Sequence, residues 1–148
     1  MNSSDQEQIS RWRERWLAMI SYFACYKIQK KMWLDVKNTN PHWSFVELMC
    51  CYFDDLGLRE DDICLNELLL ENYITRKELD AVKKLHQEAA LYFPPNSDEY
   101  NHQNILNDPK WTEIINLAND TKSNLKNLIK NNLELEKLDH YEMLYEKI

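Results

Sequence analysis

Glycine is almost missing from this chain: one residue in 148, where average usage of about 7% would give roughly ten. Tight hairpins, strand bulges and phosphate-cradling loops need glycine for positive φ or for close backbone approach. Its scarcity argues against a hairpin-rich β fold, a dinucleotide-binding βαβ unit and a phosphate-binding loop. Cysteine is sparse and lacks metal or redox spacing. Cys25, Cys50, Cys51 and Cys64 form no Cys-x-x-Cys pair, and adjacent side chains on a helix diverge by about 100°, so Cys50 and Cys51 cannot share one disulfide or one metal. Free thiols in apolar surroundings suit a reducing compartment, and a cytoplasmic location is expected. No apolar run approaches the ~20 residues that span a bilayer. The longest, Trp16 to Tyr26, is broken only by Ser21. It lacks a small-residue cleavage site, and it reads as a buried helix rather than a span or a signal peptide. An excess of positive charge is also lacking. Lys and Arg total 18 against 25 Asp and Glu, for a net charge of −7, which is not the footprint of a nucleic-acid binder.

What the chain does contain is helical periodicity punctuated by caps. The pattern specifies an all-α, single-domain bundle of five to six helices over residues 1–148. Ile9, Trp12, Trp16, Ile20, Phe23 and Tyr26 recur at helical spacing and predict a first helix over about 5–36. The aromatic stripe of Trp12, Trp16, Phe23 and Trp33 reads as core. Ser44 to Glu47 forms a capping box for a second helix, which the sole glycine, Gly57, ends at the left-handed C′ position. Asp61 or Asp62 is placed to cap a third helix running to about Tyr73, and Thr75 to Glu78 is a second capping box opening a fourth. Phe93-Pro94-Pro95-Asn96-Ser97 is the clearest loop, followed by a short helix over about 98–106. Asp108-Pro109 is an N-cap with proline at the first helical position. The helix behind it runs to about 131, and residues 133–148 form a last helix or its continuation.

Catalytic constellations are hard to find. Glu99-Tyr100-Asn101-His102 is the one Glu-x-x-His tetrad, whereas a helical di-metal site needs two such motifs and two further carboxylates. Cys50 and Cys51 lie in an acidic stretch that raises a thiol pKa instead of activating it. Catalytic residues, metal ligands and cofactors are therefore not expected. The competing enzyme reading is a helical metalloprotein or hydrolase using Glu99 and His102. A third reading is a regulatory module that holds an amphipathic partner helix against an apolar patch near Trp33 and Trp43.

Charge is distributed unevenly. Residues 1–37 carry net +3, while residues 38–75 carry net −7, with Arg59 as their single basic residue. Asp54, Asp55, Glu60, Asp61, Asp62, Glu67 and Glu71 crowd one stretch, and like charges this dense repel one another. Asp54 and Asp55 also fall at a helix C-terminus, the unfavourable end for an anion. This arrangement reads either as a solvated face or as a docking surface for a basic partner, with Tyr52 and Tyr73 as aromatic anchors.

The stretch Tyr92-Phe93-Pro94-Pro95-Asn96-Ser97-Asp98-Glu99-Tyr100-Asn101-His102-Gln103-Asn104-Ile105-Leu106-Asn107-Asp108-Pro109-Lys110-Trp111 resembles the immunity proteins of bacterial contact-dependent growth inhibition loci. Phe53-Asp54-Asp55-Leu56-Gly57-Leu58 is similar to a matching upstream element, and the resemblance covers about Phe45 to Leu128. It implies a small acidic helical protein, monomeric or weakly dimeric, that binds the basic C-terminal toxin domain of a cognate effector, often a nuclease, and blocks its active site. The charge balance and the lack of a spanning run give the expectation of no nucleic-acid or membrane partner, and the resemblance transfers no fixed set of contact residues.

Overall fold

A computed structural model describes residues 2–39, 43–58 and 63–148. The fold is all-α. The described residues form nine α-helices: α1 Ser3–Ala24, α2 Tyr26–Leu34, α3 Phe45–Cys50, α4 Ile63–Leu70, α5 Arg76–Leu91, α6 His102–Leu106, α7 Pro109–Leu128, α8 Asn132–Lys137 and α9 His140–Lys147. The expected five or six helices are corrected by three breaks: at Cys25, at Ile129 between α7 and α8, where the backbone turns extended (φ −87°, ψ 133°), and at Asp139. The long first helix divides at Cys25, whose φ of −100° and ψ of 89° are not helical. The carbonyls freed by that break are satisfied from a distance. The buried Gln29 amide donates to Tyr22 O and Phe23 O at 2.8 and 3.0 Å, and Asn119 Nδ2 donates to Ala24 O at 3.0 Å. Gln29 Oε1 in turn accepts from Trp111 Nε1 at 2.9 Å. The C-terminal segment divides where Asp139 leaves the helical region between α8 and α9.

Local chemistry sets most other boundaries. Ser44 and Thr75 accept from the backbone of Glu47 and Glu78, Asp108 caps α7, and Gly57 sits at φ 69° with Leu58 buried beyond it. Between α3 and Gly57 the chain widens into a π-helical turn, Cys51–Asp55, which Trp12 fixes by donating to Leu56 O at 2.9 Å. The third helix is shorter than its pattern implied. It stops at Leu70, before the left-handed Asn72, and Leu70 is 81% exposed rather than inward. The Asp61 and Asp62 cap positions lie outside the described residues. The short helix expected from 98 begins only at His102, capped by Asn101.

α1 is the spine. It packs along α7, and α8 and α9 close over it. Trp16, Leu17, Ile20, Tyr22 and Phe23 are fully buried on it, as the apolar run predicted. Its one inward charge is Arg13. All five N–H donors of that guanidinium are used: two to Glu78, two to Glu134 and one to Tyr73 O, at 2.6 to 3.0 Å. α1, α5, α8 and the turn before α5 therefore meet on a single side chain. A second node joins α7 to the α8–α9 junction, where Lys122 pairs with Asp139 and Glu142, and Lys126 reaches Asp139 at 2.8 Å.

Truncating Arg13 to Ala leaves two buried carboxylates facing each other, and urea unfolding is expected to show a loss of about 3–5 kcal/mol. Burial alone would raise the Glu78 carboxyl pKa, but the Arg13 and Thr75 hydrogen bonds outweigh it and hold that pKa below its ordinary value. A carboxylate depressed in the folded state adds stability above its unfolded pKa of ~4.3, and that contribution disappears as pH falls through the lower folded value. The urea midpoint is thus expected to drop below about pH 4.5, with a smaller drop in Glu78→Gln.

Candidate functional site

Asp54 and Asp55, from the crowded acidic stretch, stand on the π turn after α3, both exposed. The fold brings Glu99 toward them from the loop between α5 and α6. Partial desolvation first, and then Asp54, Asp55 and Glu99, push the Cys50 thiol above its ordinary pKa. Asp54 and Glu99 rim a groove of about 430 Å³ whose walls include Met49, Phe53, Ala90, Tyr92 and Phe93. The lining is otherwise apolar and carries no basic side chain. Among the described residues, neither Asp54 nor Asp55 forms an ion pair.

The loop that supplies Glu99 is stiff. Pro94 and Pro95 restrict it, Tyr92 donates its hydroxyl to Asp108 at 2.8 Å, and Asp98 Oδ1 accepts from Tyr100 N at 3.0 Å. Asn96 and Ser97 both sit at positive φ, 57° and 56°. Leu91, Phe93 and Tyr100 nevertheless project, at 71%, 80% and 76% exposure. Of these, Phe93 also lines the groove, Tyr100 follows Glu99 in the loop, and Leu91 is the last residue of α5.

The sequence-derived site is only partly assembled. Tyr52 is not available as an anchor. It is fully buried, its ring edge meets Phe23, and its hydroxyl bonds His86 Nδ1 at 3.2 Å. Tyr73 is half-buried, edge-on to Trp12, with its carbonyl committed to Arg13. Their π-turn and cap positions turn both rings to the core, which sequence spacing alone did not reveal. Glu67 and Glu71 are exposed on α4 and the turn behind it. Glu71 precedes the start of α5, whereas the Asp54 groove includes Ala89 and Ala90 at the other end of that helix. From Thr75 to Ala89 the rise is ~21 Å at 1.5 Å per residue. The acidic residues therefore extend along α5 and do not form one compact patch. Glu60, Asp61 and Asp62 lie outside the described residues.

Phe93 was not singled out from the sequence, and Glu99 was named only for the metalloprotein reading and not beside Asp54. The usable signal was Phe93 itself, a large apolar residue locked against two prolines with no helical phase to bury it. Among the described residues, Glu99 and His102 are not joined by a third metal-ligating side chain. His102 Nε2 accepts weakly from Phe45 N at 3.4 Å and its ring lies against Trp33, while Glu99 faces the groove. No group of three or more metal-ligating side chains occurs among the described residues. Trp33, suggested as part of an exposed apolar patch, is 3% exposed and packs against Phe45 and Trp111.

Cys50 is exposed and Cys25 and Cys64 are buried, so maleimide labelling can follow Cys50 site by site. Neutralising Asp54 and Glu99 together, as Asn and Gln, is expected to lower the Cys50 pKa and speed its labelling severalfold at pH 8, read by peptide mass spectrometry. An unchanged rate would mean that the carboxylates do not converge there. No helix among the described residues is long and apolar enough to cross a membrane. In comparisons with protein-family models, curated proteins and solved structures, the chain has no match.

Proposed function

We propose that this chain is an immunity protein: it binds the basic toxin domain of a cognate effector in the cytoplasm and neutralises it, with the groove rimmed by Asp54 and Glu99 as its docking surface. The observation that carries the reading is the placing of Asp54 and Glu99 with Cys50 on one largely apolar groove, from which Phe93 stands 80% exposed. Anionic charge steers a cationic partner toward the surface and speeds encounter. Phe93 and Tyr100 supply the desolvated aromatic contacts that commonly dominate affinity. Carboxylates placed against a nuclease's phosphate-binding cations would compete directly with its substrate. Glu71 extends the anionic field toward the start of α5 and acts on encounter more than on the bound state.

The resemblance of residues 45–128 to immunity proteins points to the partner: the C-terminal domain of a large effector encoded immediately upstream. That domain is expected to arrest growth when expressed alone and to be tolerated when this chain is coexpressed. In calorimetry with an inactivated form of the domain, Asp54→Lys/Glu99→Lys is expected to weaken binding at least tenfold and flatten its salt dependence, and Phe93→Ala is expected to weaken it at least tenfold with the salt dependence kept. Full affinity in both variants, or no protection on coexpression, contradicts the reading.

A further inference from the structure

The three arginines near the start of α1 have separate fates. Arg13 turns inward to Glu78 and Glu134. Arg11 and Arg15, one turn apart on the helix, stay exposed, and neither forms an ion pair among the described residues. Both line a cleft of about 430 Å³ between α1, the π turn and the α8–α9 junction. Ala18, Met19, Trp43, Leu56 and Tyr141 give it an apolar floor, and Lys137 and His140 stand on the opposite wall. Tyr22 donates its hydroxyl to Trp43 O at 2.6 Å, which seats Trp43 at the edge.

The size falls within the ~300–1,000 Å³ of small-molecule sites, which are mostly apolar with a few convergent polar groups. Three permanent cations line it against one carboxylate, Glu14, and Asp55 sits just behind on the Cys51 thiol. After burial, the nearness of Lys137 and Lys147 is what disfavours the His140 imidazolium.

We propose that this cleft between Arg11, Arg15, Lys137 and His140 binds one small organic anion with an apolar body, an amphiphilic carboxylate of the fatty-acid type. The arginines present planar donor forks suited to a carboxylate, and the floor takes the hydrocarbon. An inorganic anion would leave that floor uncovered, and an uncharged chain would leave the guanidinium groups unmatched. The site is independent of the acidic groove. Cys50 lines that groove and Cys51 lines this cleft, so the two open to either side of the segment that follows α3.

The test is calorimetric titration of the full chain with decanoate below its micellar concentration, beside decanol and decyltrimethylammonium. Saturable 1:1 binding of decanoate is expected, with the other two at least tenfold weaker. Arg11→Gln/Arg15→Gln is expected to lower decanoate affinity at least tenfold while the thermal unfolding midpoint stays unchanged, because both side chains are exposed. Ala18→Phe is expected to abolish binding by filling the floor. Three results overturn the proposal: no saturable binding, equal binding of all three head groups, or undiminished affinity in the double arginine variant.

Discussion

The Arg13 guanidinium is the constraint on which the rest of the molecule hangs. A buried cation is tolerated only when every donor is met, and here five donors meet five acceptors. Those acceptors come from residues 65 and 121 positions away as well as from the turn at Tyr73. One side chain thus fixes the start of α5 against α1 and holds α8 across both. Glu78 belongs to the Thr75 capping box too, so the helix start and the tertiary contact are one structure. A helix pinned this way at its N-terminus delivers its other end, some 24 Å on by the 1.5 Å rise, to a fixed place. That other end carries Tyr92, Phe93 and the loop leading to Glu99.

The second organising element is the short segment from Phe45 to Gly57. Its π turn offsets successive side chains so that Tyr52 goes to the core, Cys50 and Asp54 to one groove, and Cys51 and Leu56 to the opposite cleft. Charge separates in the same way. Asp54 and Glu99 rim one side, while Arg11, Arg15 and Lys137 line the other. The core beneath is aromatic: Phe23, Trp33, Phe45 and Trp111 pack ring against ring. His86, fully buried, is anchored between Tyr52 and Cys64 in that interior. Its burial gives it a packing role and not a surface one.

Features governed by neighbours in sequence were legible in advance. Ser44, Thr75, Asp108 and Gly57 ended or began helices where their capping chemistry required. The burial of the Trp16 to Tyr26 run followed from its composition as far as Cys25, but Tyr26, read as part of it, is 41% exposed. Features that depend on distant partners were not legible. The break at Cys25 has no glycine or proline to announce it and stands because Gln29 and Asn119 supply hydrogen bonds from elsewhere. Nothing in the spacing distinguished Arg13 from Arg11 and Arg15, since the distinction lies in Glu78 and Glu134. The acidic stretch was visible as composition, but its division along α5, the burial of Tyr52 and the recruitment of Glu99 arise only when the helices pack.

The central claim is that a cationic protein domain docks where Asp54, Glu99 and Phe93 meet. Amide hydrogen exchange of the chain, alone and in complex with the basic effector domain proposed as its partner, tests it most directly. The account predicts new protection confined to residues 45–56 and 90–101, with the exposed face of α7 unchanged. Protection that falls on α7 to α9 and leaves both of those segments exchanging as in the free chain would contradict it.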